Sequence, residues 1–132
     1  MRPIPDGATT ELEVVVTPEM TVRFDRLGPV HPVYATYRMA QHFEEAGRAL
    51  LLPFLEPGED AVGSAVSVEH LAPAPVGTVV RIEAGCTGVD GNRVTCACRA
   101  VDAAGRLLGT GTTVQVVLPR SALADRLEER RG

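Results

Sequence analysis

Alternation of apolar and polar residues near the N-terminus predicts two extended segments. Residues 11–17 are rich in valine and lie between Thr10 and Pro18, which is typical of a strand. Residues 20–27 predict a second, shorter extended segment. The five residues that follow, 28–32, contain one glycine and two prolines and therefore predict a loop.

The period changes to that of a helix over residues 33–52. Pro32 precedes this segment and Pro53 ends it, because the residue before a proline avoids the helical conformation. Small residues surround the apolar positions, so we expect a helix that is buried on most sides. The apolar positions recur at intervals of three and four, as Met39, Phe43, Ala46 and Leu50.

The period becomes two after a turn at residues 56–60, and four strands are predicted. They cover residues 62–70, 78–88, 93–101 and 107–118, and Asp90-Gly91 is a strong hairpin signal between two of them. A short C-terminal helix is predicted from about Ala122. In the first of these strands, strict alternation predicts one face of Val62, Ser64, Val66, Val68 and His70 and an opposite face of Gly63, Ala65, Ser67 and Glu69.

The order of elements predicts an α+β hot-dog fold. One helix cannot cover both faces of such a sheet, so the economical arrangement is a five-stranded antiparallel sheet wrapped around one long central helix. Sheet edges and one face would then stay uncovered, and we expect a homodimer with the site near its interface. The length of 132 residues suits one domain, with an N-terminal tail at 1–10 and a short C-terminal helix or tail at 120–132.

Composition and charge argue against several functions. The net charge is −4 and the pI is about 5.3, whereas nucleic-acid binding calls for concentrated basic residues. No apolar run approaches the roughly 20 residues of a membrane span, and we expect no signal peptide. The three cysteines, Cys86, Cys96 and Cys98, form no CxxC motif and are expected to be small buried residues in a reducing compartment. We therefore expect a cytoplasmic protein with no metal, no cofactor, no nucleic-acid partner and no membrane partner.

Three polar residues occupy positions where polarity needs an explanation. Thr36 lies at the start of the helix, where a hydroxyl often caps free N–H groups. Glu44 lies beside the apolar stripe and has Arg48 four residues on as a possible ion-pair partner. His70 ends a valine-rich strand, where a histidine bound to backbone is the ordinary explanation. Each residue alone is compatible with a structural role or with a site.

Helix geometry limits how these residues combine. Thr36 and Glu44 are eight residues apart, which is about 12 Å along a continuous helix. They cannot touch, so a common site requires His70 or substrate between them, or contributions from two subunits. The N-terminus of the helix also offers unpaired N–H groups to an oxygen that gains negative charge.

At the level of motifs, residues 32–118 resemble the fluoroacetyl-CoA thioesterase family of hot-dog enzymes. The segment Val33-Tyr34-Ala35-Thr36 is similar to the family's threonine segment, Glu44 follows after eight residues, and His70 after a further 26. The block from Pro53 to Glu59 resembles the turn after the helix, and Gly109-Thr110-Gly111-Thr112 resembles the last strand. The resemblance implies catalytic roles for Thr36, Glu44 and His70, and substrate contact for Gly63.

The resemblance implies a thioesterase that hydrolyses a small or medium acyl-CoA, or an acyl group on a carrier protein, to free acid and thiol. Two positions depart from the family pattern: Val30 replaces a lid phenylalanine, and Gln115, or Val114 in a shifted register, replaces an arginine. Selectivity for fluoroacetyl is therefore not expected. Two alternatives remain open: a non-catalytic protein that binds an acyl or CoA ligand, and a hot-dog dehydratase or cyclase that retains the thioester.

Overall fold

The computed structural model describes residues 1–131, and its secondary structure follows the predicted order with one additional strand. Short 3-10 turns lie at Pro18–Met20 and Leu52–Phe54. The strands and helices are β1 (Thr9–Val15), β2 (Thr21–Phe24), β3 (Gly28–Tyr34), α1 (Thr36–Leu51), β4 (Glu59–His70), β5 (Val79–Asp90), β6 (Arg93–Asp102), β7 (Leu107–Pro119) and α2 (Arg120–Arg131).

Five strands form one antiparallel sheet in the order β1-β5-β6-β7-β4, and α1 contacts every one of them. The apolar stripe predicted for α1 is buried against this sheet. The predicted hot-dog fold, with five antiparallel strands around one long helix, is therefore confirmed. No helix within residues 1–131 has both the length and the apolar character needed to cross a membrane.

Two glycines of β7 let α1 approach the sheet closely. Met39 and Phe43 of α1 are fully buried and lie directly over Gly109 and Gly111. A Cβ atom at Gly111 would lie 2.9 Å from two ring carbons of Phe43, and one at Gly109 would overlap the Met39 sulfur. Glycine is required at these positions by close packing against α1 and against the Ser67 and Glu69 carbonyl oxygens of β4, since its backbone angles there are ordinary for a strand.

The predicted faces of β4 are wrong for its first half. Gly63 pairs with Gln115, but the next residue of β7, Val114, pairs with Ala65, so Ser64 is an extra residue in a β-bulge. The extra residue reverses the alternation, and Gly63 lies on the same side as Val66, Val68 and His70, facing α1. A bulge leaves no mark in the period-two pattern, which is why strict alternation placed Gly63 on the opposite face.

The segment predicted as a loop at residues 28–32 is part of β3, which pairs with β2 in a separate two-stranded ribbon. Pro29 and Pro32 are tolerated because β3 forms its ladder with β2 only, and the bridge at its other edge joins Val33 to Pro75. Two register shifts occur within the pairing. The helix α1 begins at Thr36 and not at Val33 as predicted, because Tyr34 is extended and donates its N–H to the Ala74 carbonyl at 2.8 Å.

Candidate active site

Thr36 and His70 meet where α1 begins and β4 ends. The Thr36 hydroxyl oxygen and His70 Nδ1 are 2.9 Å apart and share a hydrogen bond. The helix N-cap is Ala35, in an extended conformation, and it makes no side-chain capping hydrogen bond. The alternative that Thr36 serves as a capping residue is therefore wrong, because its hydroxyl is engaged with the imidazole instead.

The second nitrogen of His70 has no hydrogen-bond partner. Nε2 is buried, and no donor or acceptor within residues 1–131 reaches it. The structural alternative for His70, a histidine hydrogen-bonded to a backbone group, is therefore wrong. An imidazole bound to a hydroxyl through one nitrogen is arranged as in a general base that activates a nucleophile.

Glu44 lies apart from this pair. Its side chain is exposed on α1, and its Oε2 lies over Gly63, 2.9 Å from the position that a Cβ would take. The alternative of an ion pair with Arg48 is wrong, because Arg48 binds Asp60 at 2.9 Å and the Ala61 carbonyl at 2.6 Å. The Ala61 N–H and Arg48 hold the pKa of the Asp60 carboxyl below its usual value. Within the described chain, Glu44 has no cationic partner.

The predicted residues thus form two groups in one chain. Thr36 and His70 lie at the end of β4, and Glu44 and Gly63 lie together near its beginning. Gly63 and His70 are seven residues apart on the same strand, a separation of about 23 Å at ~3.3 Å per residue. The prediction that Thr36 and Glu44 cannot touch agrees with this separation.

A cavity of about 310 Å³ opens beside Thr36 and His70. The β2–β3 ribbon and the segment after β4 supply most of its wall, and His31 adds a polar group at its rim. The cavity therefore gives an apolar group direct access to the Thr36–His70 pair. Its apolar lining consists of Val22, Val33, Leu71, Ala72 and Pro73.

Sequence reasoning missed a second polar pair, Tyr34 and His42, next to the first. The Tyr34 hydroxyl lies 2.5 Å from His42 Nδ1, and both side chains are buried. Burial lowers the pKa of His42 and raises the pKa of Tyr34, so both groups favour the uncharged form. One feature of the sequence could have revealed His42: it lies within the apolar stripe of α1, between Met39 and Phe43, where a polar residue needs a partner.

The two residues considered for the arginine position have different surroundings. Gln115 faces α1, is almost fully buried and pairs with Gly63 across the β4–β7 ladder. Its Oε1 has no hydrogen-bond partner in the part of the chain described. Val114 lies on the outer face of the sheet. Gln115 is therefore the residue that accompanies Glu44 and Gly63.

Comparison with known proteins identifies the family. Residues 16–121 match the family described as fluoroacetyl-CoA-specific thioesterase. The fluoroacetyl-CoA thioesterase of Streptantibioticus cattleyicolor is 34% identical over 113 residues, which cover 80% of this chain and 79% of that protein.

Solved structures agree with this match. A hypothetical protein of Thermus thermophilus, a thioesterase superfamily member, has a TM-score of 0.93 and 54% identity, with 98% of this chain and 97% of that chain covered. A variant of the fluoroacetyl-CoA-specific thioesterase in complex with fluoroacetate and CoA has a TM-score of 0.82 and 30% identity, with 90% of this chain and 98% of that chain covered. This chain belongs to the fluoroacetyl-CoA-specific thioesterase family.

Proposed function

We propose that this chain hydrolyses the thioester of a small or medium acyl-CoA to the free acid and thiol, with Thr36 and His70 as the reacting pair. The observation that carries the proposal is the 2.9 Å contact between the Thr36 hydroxyl and His70 Nδ1 beside an apolar cavity of about 310 Å³. Membership of a thioesterase family supports the reaction class. The relative that was solved with CoA and fluoroacetate supports CoA as the thiol carrier.

His70 acts as the general base in this mechanism. It takes a proton from the Thr36 hydroxyl or from water, and the resulting oxygen nucleophile attacks the thioester carbonyl. The first N–H groups of α1 stabilise the negative charge that develops on the carbonyl oxygen. The C–S bond then breaks, and the thiolate leaves as the thiol with the proton that His70 returns. If Thr36 is the nucleophile, water hydrolyses the acyl-threonine in a second step, again with His70 as base.

The site is completed by a second copy of the chain in this proposal. β4 lies at the edge of the sheet, is 12 residues long, and is exposed from Gly63 to Ser67, with Val66 38% exposed. Such an edge requires a cover, and the same strand of a second copy provides one. Antiparallel pairing lays the Gly63 end of one β4 beside the His70 end of the other. Glu44 of the second copy then lies near the Thr36–His70 pair.

The reaction is tested with a panel of acyl-CoA thioesters of increasing chain length and detection of the released thiol. The wild-type protein should release free acid and thiol, and Thr36→Val and His70→Ala should not. Wild-type rates no higher than those of His70→Ala across the whole panel would refute the proposal. Mass analysis of the product separates hydrolysis from dehydration or cyclisation, which keep the acyl–sulfur bond.

The shared site is tested by mixing two variants with strongly reduced activity, Glu44→Ala and His70→Ala. Random exchange of subunits makes half of the dimers mixed, and each mixed dimer contains one intact site, so about 25% of wild-type activity should return. If both residues of a site come from the same chain, no activity returns. A monomeric mass at micromolar concentration with full activity would exclude the dimer.

We further propose that the acyl group differs from fluoroacetyl. Val30, at the position of the family's lid phenylalanine, lies on β3 and is 42% exposed. Gln115 carries no charge to attract a polar or anionic acyl group. Equal or higher kcat/KM for unsubstituted acyl-CoA than for fluoroacetyl-CoA is the expected result, and a strong preference for fluoroacetyl-CoA would refute this part.

A further inference from the structure

The ring of Tyr34 stands between two histidines. Its hydroxyl edge meets His42, with ring centroids 5.7 Å apart and planes at 25°. It also meets His70 at 72°, with centroids 6.2 Å apart. Both distances lie within the range in which aromatic rings attract each other, and the perpendicular arrangement is one of the preferred geometries. A change in the position of the Tyr34 ring therefore changes the packing of the His70 imidazole.

The hydrogen bond to His42 fixes where that ring lies. Tyr34 is fully buried at the end of β3, and its N–H is bound to Ala74, so its backbone is also fixed. Because burial favours the neutral form of both side chains, the Tyr34 hydroxyl and His42 Nδ1 share a hydrogen bond between uncharged groups. His42 belongs to α1, six residues after Thr36, and does not line the cavity. The Tyr34–His42 pair thus connects the end of β3, beside His70, to α1, which carries Thr36.

We propose that Tyr34 and His42 are positioning residues for His70: their buried hydrogen bond holds the Tyr34 ring against the imidazole and keeps His70 Nδ1 directed at the Thr36 hydroxyl. The catalytic consequence of this inference rests on the proposed thioesterase function, whereas its effect on the His70 ring does not. The need for such a support is clear from His70 itself, since one of its nitrogens has no partner within residues 1–131 and the Thr36 contact alone leaves the ring one hydrogen bond.

Three variants and one control test the proposal. Tyr34→Phe removes the hydroxyl and keeps the ring, His42→Leu removes the acceptor, and the double variant removes both partners without leaving a buried group unpaired. Tyr37→Phe is the matched control: this tyrosine is also near the start of α1, and its hydroxyl binds the backbone of Thr21 and Arg23 and not a histidine.

The kinetic readout separates positioning from a loss of folded protein. Tyr34→Phe and His42→Leu should each lower kcat by about 5- to 20-fold with KM within about twofold, as expected when a catalytic group is displaced by less than 1 Å. The double variant should be no worse than the single variants, since the two side chains act as one unit. Tyr37→Phe should keep kcat within about twofold. If the double variant retains full kcat, the inference is wrong.

The second readout needs no substrate. The protein has three histidines, so the side-chain ¹⁵N signals of His31, His42 and His70 are assigned by single substitutions. The neutral imidazole of His70 in the wild-type protein should show one dominant tautomer. The signals of His70 should move towards the tautomer average in Tyr34→Phe and His42→Leu, and stay unchanged in Tyr37→Phe. Unchanged His70 signals in both variants would overturn the inference even if the wild-type protein hydrolyses every thioester in the panel. Conversely, shifted signals in a protein with no thioesterase activity would support the inference and reject the proposed function.

Discussion

Gly63→Ala should lower activity and leave the fold intact. An added Cβ at this position lies 2.9 Å from Glu44 Oε2, whereas ordinary van der Waals contact begins at 3.4 Å. The carboxylate must therefore retreat by about 0.5 Å. Glu44 is exposed, and its carboxylate is the end of a flexible side chain, so this movement costs little stability. The free energy of unfolding should change by less than about 0.5 kcal/mol, as for an ordinary surface substitution.

The effect on the reaction should be larger. A misplacement of 1 Å in a reacting group costs up to about 100-fold in rate, so half that distance predicts a decrease of about tenfold in kcat. We would measure kcat and KM with the best acyl-CoA of the panel and stability by urea denaturation. Gly88→Ala is the matched control, because Gly88 also lies in a strand and an added Cβ there has no heavy atom of residues 1–131 within 4 Å.

A double-mutant comparison decides whether the effect passes through Glu44. In the Glu44→Ala background the new methyl group at Gly63 has no carboxylate to displace, so Gly63→Ala should cause no further loss. If Gly63→Ala lowers the residual activity of Glu44→Ala by the same tenfold, the methyl group blocks substrate directly and the reasoning about Glu44 is refuted. A wild-type kcat in Gly63→Ala alone would refute it as well.

Three other substitutions test neighbouring conclusions. Gly111→Ala should lower the free energy of unfolding by about 2 kcal/mol in urea denaturation, because its Cβ would overlap the Ser67 carbonyl oxygen and approach the Phe43 ring. A loss of stability no greater than in Gly88→Ala would contradict the close packing around Gly111. Thr36→Ser should retain kcat within about tenfold, whereas Thr36→Val should lower kcat at least 100-fold, since only serine keeps the hydroxyl. Similar rates for the two variants would show that the hydroxyl takes no part in the mechanism. Because burial lowers the pKa of His42 below 6.5, the unfolded chain takes up the proton first as the pH falls, and stability should decrease below pH 6.5 until the pH passes the folded-state pKa. His42 changes the free energy of unfolding by at most about 1.4 kcal/mol per pH unit, and this contribution should be absent in His42→Leu. Parallel curves of stability against pH for the wild-type protein and His42→Leu would exclude the effect.

The elements of the fold could be predicted because their periods are strong. The apolar stripe of α1 and the alternation in β5, β6 and β7 are set by burial of one face, and burial is visible in the order of residues. Strand order is a different matter. β4 follows α1 in the chain but pairs with β7, the last strand, and no local pattern records a pairing between residues that are distant in sequence.

The candidate site could be predicted only in part, because contacts between residues distant in sequence leave no local pattern. Thr36 and His70 are 34 residues apart, and their membership of one site was an implication of the family resemblance and not of periodicity. The orientation of Gly63 depended on a one-residue bulge at Ser64, which reverses every face before it. Tyr34 and His42 were missed because a tyrosine and a histidine satisfy each other, and their partnership crosses from a strand to a helix.

The origin of the cavity wall has a consequence for how this protein could change its substrate. The β2–β3 ribbon and the residues after His70 line the cavity, but the ribbon is not part of the five-stranded sheet, and Val22, Leu71 and Pro73 lie outside the fully buried core. Substitutions there reshape the space for the acyl group without disturbing the contact between α1 and β7, where even a methyl group at Gly111 is excluded. Apart from Tyr34, which is buried in the core and also lines the cavity, acyl preference and folding stability therefore depend on separate residues. A library confined to Val22, Leu71 and Pro73 can explore new substrates while nearly every member still folds.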